Sequence, residues 1–256
     1  MWRIGILLLC LSCFPSHADT ITLRVAVSDA PPYRIIESPL FRGYYIELLQ
    51  LAARNADLRV QFVSVPLKRA FQMLENGEAD LMLGPNRTPE REQFLVYLEQ
   101  APFPAEDKVF LISDPGQIIR SLDDLHGKRL DVLAGAVYHP DIDNDPQILR
   151  HEVKNYSQAL QRLIRQRSDV VLIPEAQGDW LMHEMGLHLI KSPLRLAGKP
   201  SYVVWSRRTY DAALAKRLIH GLQQAFSSHA GAAIQQRYFP TKPSPAATVP
   251  AQTSTP

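Results

Sequence analysis

Residues 77–91 read Gly77-Glu-Ala-Asp-Leu-Met-Leu-Gly-Pro-Asn-Arg-Thr-Pro-Glu-Arg91. Leu81, Met82 and Leu83 form a short apolar run that predicts a buried strand over 80–84, stopped by Gly84-Pro85. Asn86, Thr88 and Arg91 then bring amide, hydroxyl and guanidinium donors close together in the chain. Thr88-Pro89-Glu90-Arg91 has the form of a helix start, with a threonine N-cap, a proline at the first helical position and an acid in the first turn. A helix N-terminus beside an arginine can receive a carboxylate. The competing reading is a capped turn whose arginine is merely solvated.

The flanking sequence favours the receptor reading. Residues 23–27 alternate as a strand, and Asp29-Ala-Pro-Pro-Tyr33 is a loop stiffened by its prolines. Helical spacing over 45–55 and 67–76 brackets a strand at 60–63, and Gly77 stops the second helix. This β-α-β-α-β order predicts a parallel sheet covered by helices. Ligands in such sheets sit at the carboxyl ends of the strands, where Tyr33, Gly84 and Asn86 fall, with Arg91 just beyond. A second series starts near residue 109, with strands at 109–112, 130–133, 151–153 and 169–173. A short capped helix is expected at 121–125, and longer ones at 158–166 and from Pro174-Glu175 to 185. A last strand at 201–205 precedes closing helices at 210–224 and 231–238. Two α/β lobes without a nucleophile motif suggest a hinged receptor with its ligand in the cleft.

The ends carry other information. Residues 1–18 have a basic start, an apolar core over 4–14 and the small-x-small ending Ser16-His17-Ala18, as expected of a signal peptide. Cys10 and Cys13 both fall inside it, so no disulfide or thiol chemistry is expected of the exported chain. Cys13 fits a lipid-attachment site poorly. Residues 241–256 lack aromatics, leucine and periodicity and are expected to be a disordered tail. The formal net charge is +2, and the basic residues are dispersed, which argues against a nucleic-acid partner. The eight histidines show no metal-ligand spacing, and no cofactor or metal is expected.

The chain carries, in order, Pro32-Tyr33, Gly43-Tyr44-Tyr45-Ile46-Glu47-Leu48, Leu74-Glu-Asn-Gly-Glu-Ala-Asp80, Thr88-Pro-Glu-Arg91, Ser121-Leu-Asp-Asp-Leu-His-Gly-Lys128, Tyr156-Ser157-Gln-Ala-Leu160, Arg167-Ser-Asp169 and the run from Gly231 to Tyr238-Phe239. Together, in this order and spacing, these motifs resemble bacterial extracellular solute-binding proteins, family 3, as a divergent member. The resemblance implies a type II periplasmic-binding fold: two lobes, each a mostly parallel sheet covered by helices, joined by a two-strand hinge. Lobe one would be 22–105 plus 201–240 and lobe two 109–197. It further implies a periplasmic monomer that closes on a small solute and delivers it to a membrane permease of the ABC type.

Carried over by position, Arg91 pairs the ligand carboxylate, Thr88 caps the turn, Asn86 replaces a threonine or serine beside that carboxylate, and Tyr33 stacks on the ligand. The second lobe departs from the pattern. Ala136 replaces a hydroxyl residue, leaving its backbone N–H as the expected donor. Where amino-acid binders place an acid for the ligand ammonium there is Pro174, with Glu175 one residue later. Glu175 either substitutes with shifted geometry or the ammonium contact is absent. Leu67 stands where many members have a second aromatic. The leading expectation is a receptor for a small carboxylate-bearing solute, an amino acid or relative. The alternatives are a cyclohexadienyl-dehydratase-like enzyme on the same fold and a soluble sensor for a membrane partner.

Overall fold

The computed structural model describes residues 21–239, and the expected signal segment and tail lie outside them. The first run of elements is β1 (Thr22–Val27), β2 (Ile35–Glu37), β3 (Leu40–Arg42), α1 (Tyr44–Asn55), β4 (Arg59–Ser64), α2 (Leu67–Asn76), β5 (Leu81–Asn86), α3 (Pro89–Glu92) and β6 (Leu95–Tyr97). The second is β7 (Lys108–Ile112), β8 (Arg129–Leu133), α4 (Pro140–Asp143), β9 (Leu149–Val153), α5 (Tyr156–Ile164), β10 (Val170–Pro174), α6 (Glu175–Glu184) and β11 (Ile190–Leu196). The chain then returns through β12 (Ser201–Ser206), α7 (Ala212–Ser227) and α8 (His229–Tyr238).

Two five-stranded sheets result, in the orders β4-β1-β5-β12-β6 and β11-β7-β10-β8-β9. They are built alike. In the first, β4, β1 and β5 are parallel, β12 runs against β5, and β6 runs against β12. In the second, β9, β8 and β10 are parallel, β7 runs against β10, and β11 runs against β7. Four strands of each sheet therefore share one direction, as the mostly parallel expectation requires. The reversed strand in each, β7 or β12, is the one that follows a crossing from the other sheet. A chain leaving one sheet at the carboxyl ends of its strands enters the other at the facing edge and must run back from it. Both sheets thereby turn the carboxyl ends of their strands toward a common cleft.

Burial explains the elements. β10 is buried along Val170–Ile173, matching its continuous apolar run, and α1 buries Ile46, Leu48, Leu49, Ala52 and Ala53 on one face. α7 packs on α1 so closely that a Cβ on Gly221 would lie 2.2 Å from the Ala52 carbonyl oxygen, which leaves room only for glycine. Beneath the cleft, Tyr45 and Phe103 stack at 3.7 Å between ring centroids, with Tyr44 beside them.

Some expected boundaries shift. The strand expected to stop at Gly84 runs on to Asn86, because a register shift between Ser201 and Val203 on β12 absorbs the irregularity at Gly84-Pro85. Gly84 sits there at φ +85°, and a Cβ would meet Arg34 Nη1 at 2.6 Å. The helix expected at 121–125 is a single 3-10 turn, Asp123–Leu125, in which the Asp124 carboxylate accepts from the Arg120 and Ser121 N–H groups at 2.7 and 2.9 Å. Three-residue β2, β3 and β6 give too little alternation to read from sequence, and β11 is broken by Pro193 and a register shift between Lys191 and Arg195.

Candidate functional site

A cavity of about 140 Å³ lies between the two sets of strand ends. Tyr33, Gly84, Asn86 and Arg91 line it from the first lobe, and Ala136 from the second. The cap that positions Arg91 is the one read from the sequence: Thr88 precedes Pro89, and its Oγ1 accepts from the Arg91 N–H at 3.4 Å. Thr88 itself is not part of the cavity wall. Arg91 is buried to 9% exposure, and its guanidinium lies over the Phe71 ring at 4.2 Å. Nη1 donates to the Asn86 carbonyl at 3.0 Å, and Nη2 reaches across the cleft to the Gly135 carbonyl at 3.1 Å. A guanidinium has five N–H donors, so these two bonds leave others for a ligand.

Phe71 answers the question posed by Leu67. Both line the cavity from α2, one helical turn apart, so the aromatic surface missing at Leu67 is supplied four residues later. Tyr33 contributes a second ring, 4.7 Å from Tyr45 and 5.5 Å from Phe239. Its hydroxyl is pushed up by burial and by the neighbouring Glu106 carboxylate.

On the second lobe two expectations are corrected. The Ala136 N–H donates to the Leu133 carbonyl at 3.0 Å and is spent in that turn. Glu175, the first residue of α6, does not line the cavity. Its carboxylate is held by Arg195, at 2.9 Å from Nη2 and with a second contact from Nη1, and by Lys191 Nζ at 2.8 Å, both on β11. The β10 strand extends through Pro174, so the chain enters α6 one residue too late for Glu175 to face the cleft.

Arg195, followed by Lys191, pulls the Glu175 carboxyl down to about 2. The stability this pairing contributes is present above the unfolded-state value of about 4.3 and is lost as pH falls through the folded one. The group is partly solvated and its partners lie at the surface, so Glu175→Gln is expected to cost about 1 kcal/mol in thermal melts at neutral pH. It should leave solute affinity by calorimetry within about twofold, since the pair does not reach the cavity.

The acid that does face the cavity is Glu106, in the first crossing between sheets. Its Oε1 accepts from the Ala176 N–H at 2.6 Å, at the N-terminus of α6, so it caps a second-lobe helix while lying beside Tyr33 of the first lobe. Burial raises its carboxyl above the usual range. A Cβ on Gly198, in the return crossing, would lie 2.3 Å from the Glu106 carbonyl, so the two crossings touch at this residue. Lys108 and Lys199 flank it in the lining, and Arg34 enters from the first lobe, fixed by the Ser28 and Leu83 carbonyls at 2.9 and 2.7 Å. Tyr138 and Tyr156 close the second-lobe side through a 2.7 Å hydroxyl contact, and burial pushes Tyr138 up to about 12. Among the described residues no His, Cys, Asp and Glu cluster could hold a metal ion.

The model of bacterial extracellular solute-binding proteins, family 3, matches residues 23–241. The chain belongs to that family. No curated protein sequence matches it at a significant level. Among solved structures, an ancestral arginine-binding protein bound to arginine is similar at 21% identity and TM-score 0.75, covering 85% of this chain and 98% of its own. An ancestral amino acid-binding protein, a precursor of cyclohexadienyl dehydratase, is similar at 19% identity and TM-score 0.70, with 85% and 95% covered. A histidine kinase sensor domain with similarity to periplasmic binding proteins follows at 20% identity and TM-score 0.70, with 87% and 96% covered. At these identities the likeness is one of fold, a type II periplasmic-binding architecture with two sheet-containing lobes. Among the described residues no helix is long and apolar enough to cross a membrane.

Proposed function

We propose that this member of the family captures a small carboxylate-bearing solute, an amino acid or close relative, in the cleft and hands it to a membrane permease of the ABC type. The observation that carries the reading is Arg91: a buried guanidinium, stacked on Phe71, facing a cavity at the carboxyl ends of both sheets. Charge-assisted, forked hydrogen bonds from such a group match a carboxylate. Tyr33 and Phe71 offer apolar contact, Asn86 an amide, and Glu106 takes the ammonium role first assigned to Glu175. Closure follows from a ligand that contacts both lobes and so favours the closed state. Export through the signal segment and residence in the periplasm complete the role.

A thermal-shift screen of amino acids and small carboxylates tests this. A ligand at about a hundred times its dissociation constant adds about 2.7 kcal/mol of stability. For a chain of this size that raises the melting temperature by roughly 5–10 °C. A panel in which no carboxylate raises it would remove the reading.

Glu106 also favours a second reading. A buried carboxyl with a raised pKa facing a cavity, beside a tyrosine hydroxyl, has the properties of a general acid. That is the feature a cyclohexadienyl-dehydratase-like reaction would need. Turnover of prephenate or arogenate by the purified protein, lost in Glu106→Gln, would favour the enzyme.

A further inference from the structure

The charge of the cavity is lopsided. Four cationic side chains line it, Arg34, Arg91, Lys108 and Lys199, against the single carboxylate of Glu106. None of the four takes part in an ion pair among the described residues, although fourteen such contacts occur elsewhere in the molecule. Arg34 and Arg91 are anchored by backbone carbonyls, which orient a guanidinium without neutralising it. The lysine ammonium groups that donate hydrogen bonds among the described residues are those of Lys128 and Lys191, and neither the Lys108 nor the Lys199 ammonium does so. Acids outside the lining act on this group without forming an ion pair: Asp29 on Arg34, Glu90 on Arg91, and Asp107 and Asp143 on Lys108. Asp107 also accepts from the Gly198 N–H at 2.9 Å. Arg34, Arg91 and Lys108 are buried or partly buried with only the Glu106 carboxylate beside them in the lining, and a ligand that supplies further negative charge recovers part of the cost of keeping them there.

We propose that the solute carries two anionic groups: a first carboxylate on Arg91 and a second met by Lys108 and Lys199. This rests on the carboxylate-receptor reading and narrows its ligand to dicarboxylates, acidic amino acids foremost. Lys108 opens β7 and Lys199 precedes β12, so one lysine stands on each crossing between the lobes. An anion held between them joins the two hinge segments as well as the two lobes. The same charges reject a cationic side chain, since an arginine or lysine ligand would bring a fifth positive group into the cavity.

Calorimetry with L-glutamate, L-glutamine, L-arginine, glutarate and acetate separates the possibilities. Glutamate and glutamine differ by one charge at nearly constant shape. Glutamate is expected to bind at least about tenfold more tightly than glutamine, with the ratio shrinking as salt is added. L-arginine is expected not to bind. In Lys108→Met, and separately in Lys199→Met, the glutamate-to-glutamine ratio should fall at least about fivefold. Lys199 is exposed at the cavity mouth, so its variant tests the idea even if the Lys108 variant misfolds. Glutamine or arginine binding as tightly as glutamate overturns the second anionic group while sparing the carboxylate receptor. An unchanged ratio in Lys199→Met overturns the lysine pair. Failure of every ligand in the panel overturns both this inference and the reading beneath it.

Discussion

Arg91→Ala is expected to weaken solute binding by at least about 100-fold, read by calorimetry against the wild-type chain. The size follows from what the side chain does. Arg91 is held at 9% exposure, stacked on Phe71 and bonded to the carbonyls of Asn86 and Gly135, so its geometry is set before any ligand arrives. A pre-organised guanidinium loses little entropy on forming a fork with a carboxylate. Its removal leaves the ligand's carboxylate without its forked partner, and leaving a charge unpaired costs more than the pair contributed. The fold itself should survive. The lost contacts lie at the cleft and outside both sheet cores, so the melting temperature of the empty protein should fall by no more than roughly 4 °C. Arg91→Lys sharpens the test: it keeps the charge, removes the fork, and should still lose at least about tenfold. Wild-type affinity in Arg91→Ala would remove Arg91 from the site.

How far the sequence led depends on how local each signal was. The Thr88-Pro89 cap, α1, α2 and the buried β10 were readable because cap chemistry and hydrophobic period are short-range properties. The same locality brought Tyr33, Gly84, Asn86 and Arg91 into one wall, since each follows or ends a strand of the first sheet. The second-lobe half depended on register at the β10–α6 junction. A single residue there decides whether Glu175 faces the cleft or the β11 cations, and local pattern does not fix register that finely.

Phe71 lies within the helix expected at 67–76, but helical spacing cannot tell a core-facing ring from a cavity-facing one. Glu106 and Lys108 carried no motif at all. Glu106 owes its place to Ala176 and Tyr33, each about seventy residues away along the chain, and to the crossing geometry marked by Gly198. One signal was available: the polar stretch Glu106-Asp107-Lys108 stands just before the strand that starts the second lobe, and alternate residues of it, Glu106 and Lys108, face the cavity.

Glu106→Gln is expected to split the ligands by whether they carry an ammonium. For an α-amino acid the loss should be about 100-fold, since the variant keeps the shape and the Ala176 hydrogen bond but removes the one negative charge facing the cavity. For the matching carboxylate without an amine, affinity should hold or rise, because the same substitution removes a repulsive charge. Acidity gives a second, independent readout. Burial raises the Glu106 carboxyl in the folded chain, so the folded form holds its proton more tightly than the unfolded one. Its contribution to the stability of the empty protein is therefore fully present below the unfolded value of about 4.3 and lost as pH rises through the folded one. An ammonium ligand needs the ionised form, so amino-acid affinity should fall as pH drops through that same folded value, and Glu106→Gln should flatten the fall. An amino-acid affinity that keeps its full pH dependence in Glu106→Gln would assign the ammonium contact to another group. Equal losses for amine-bearing and amine-free ligands would make Glu106 a support for α6 and the hinge, with no direct hold on the solute.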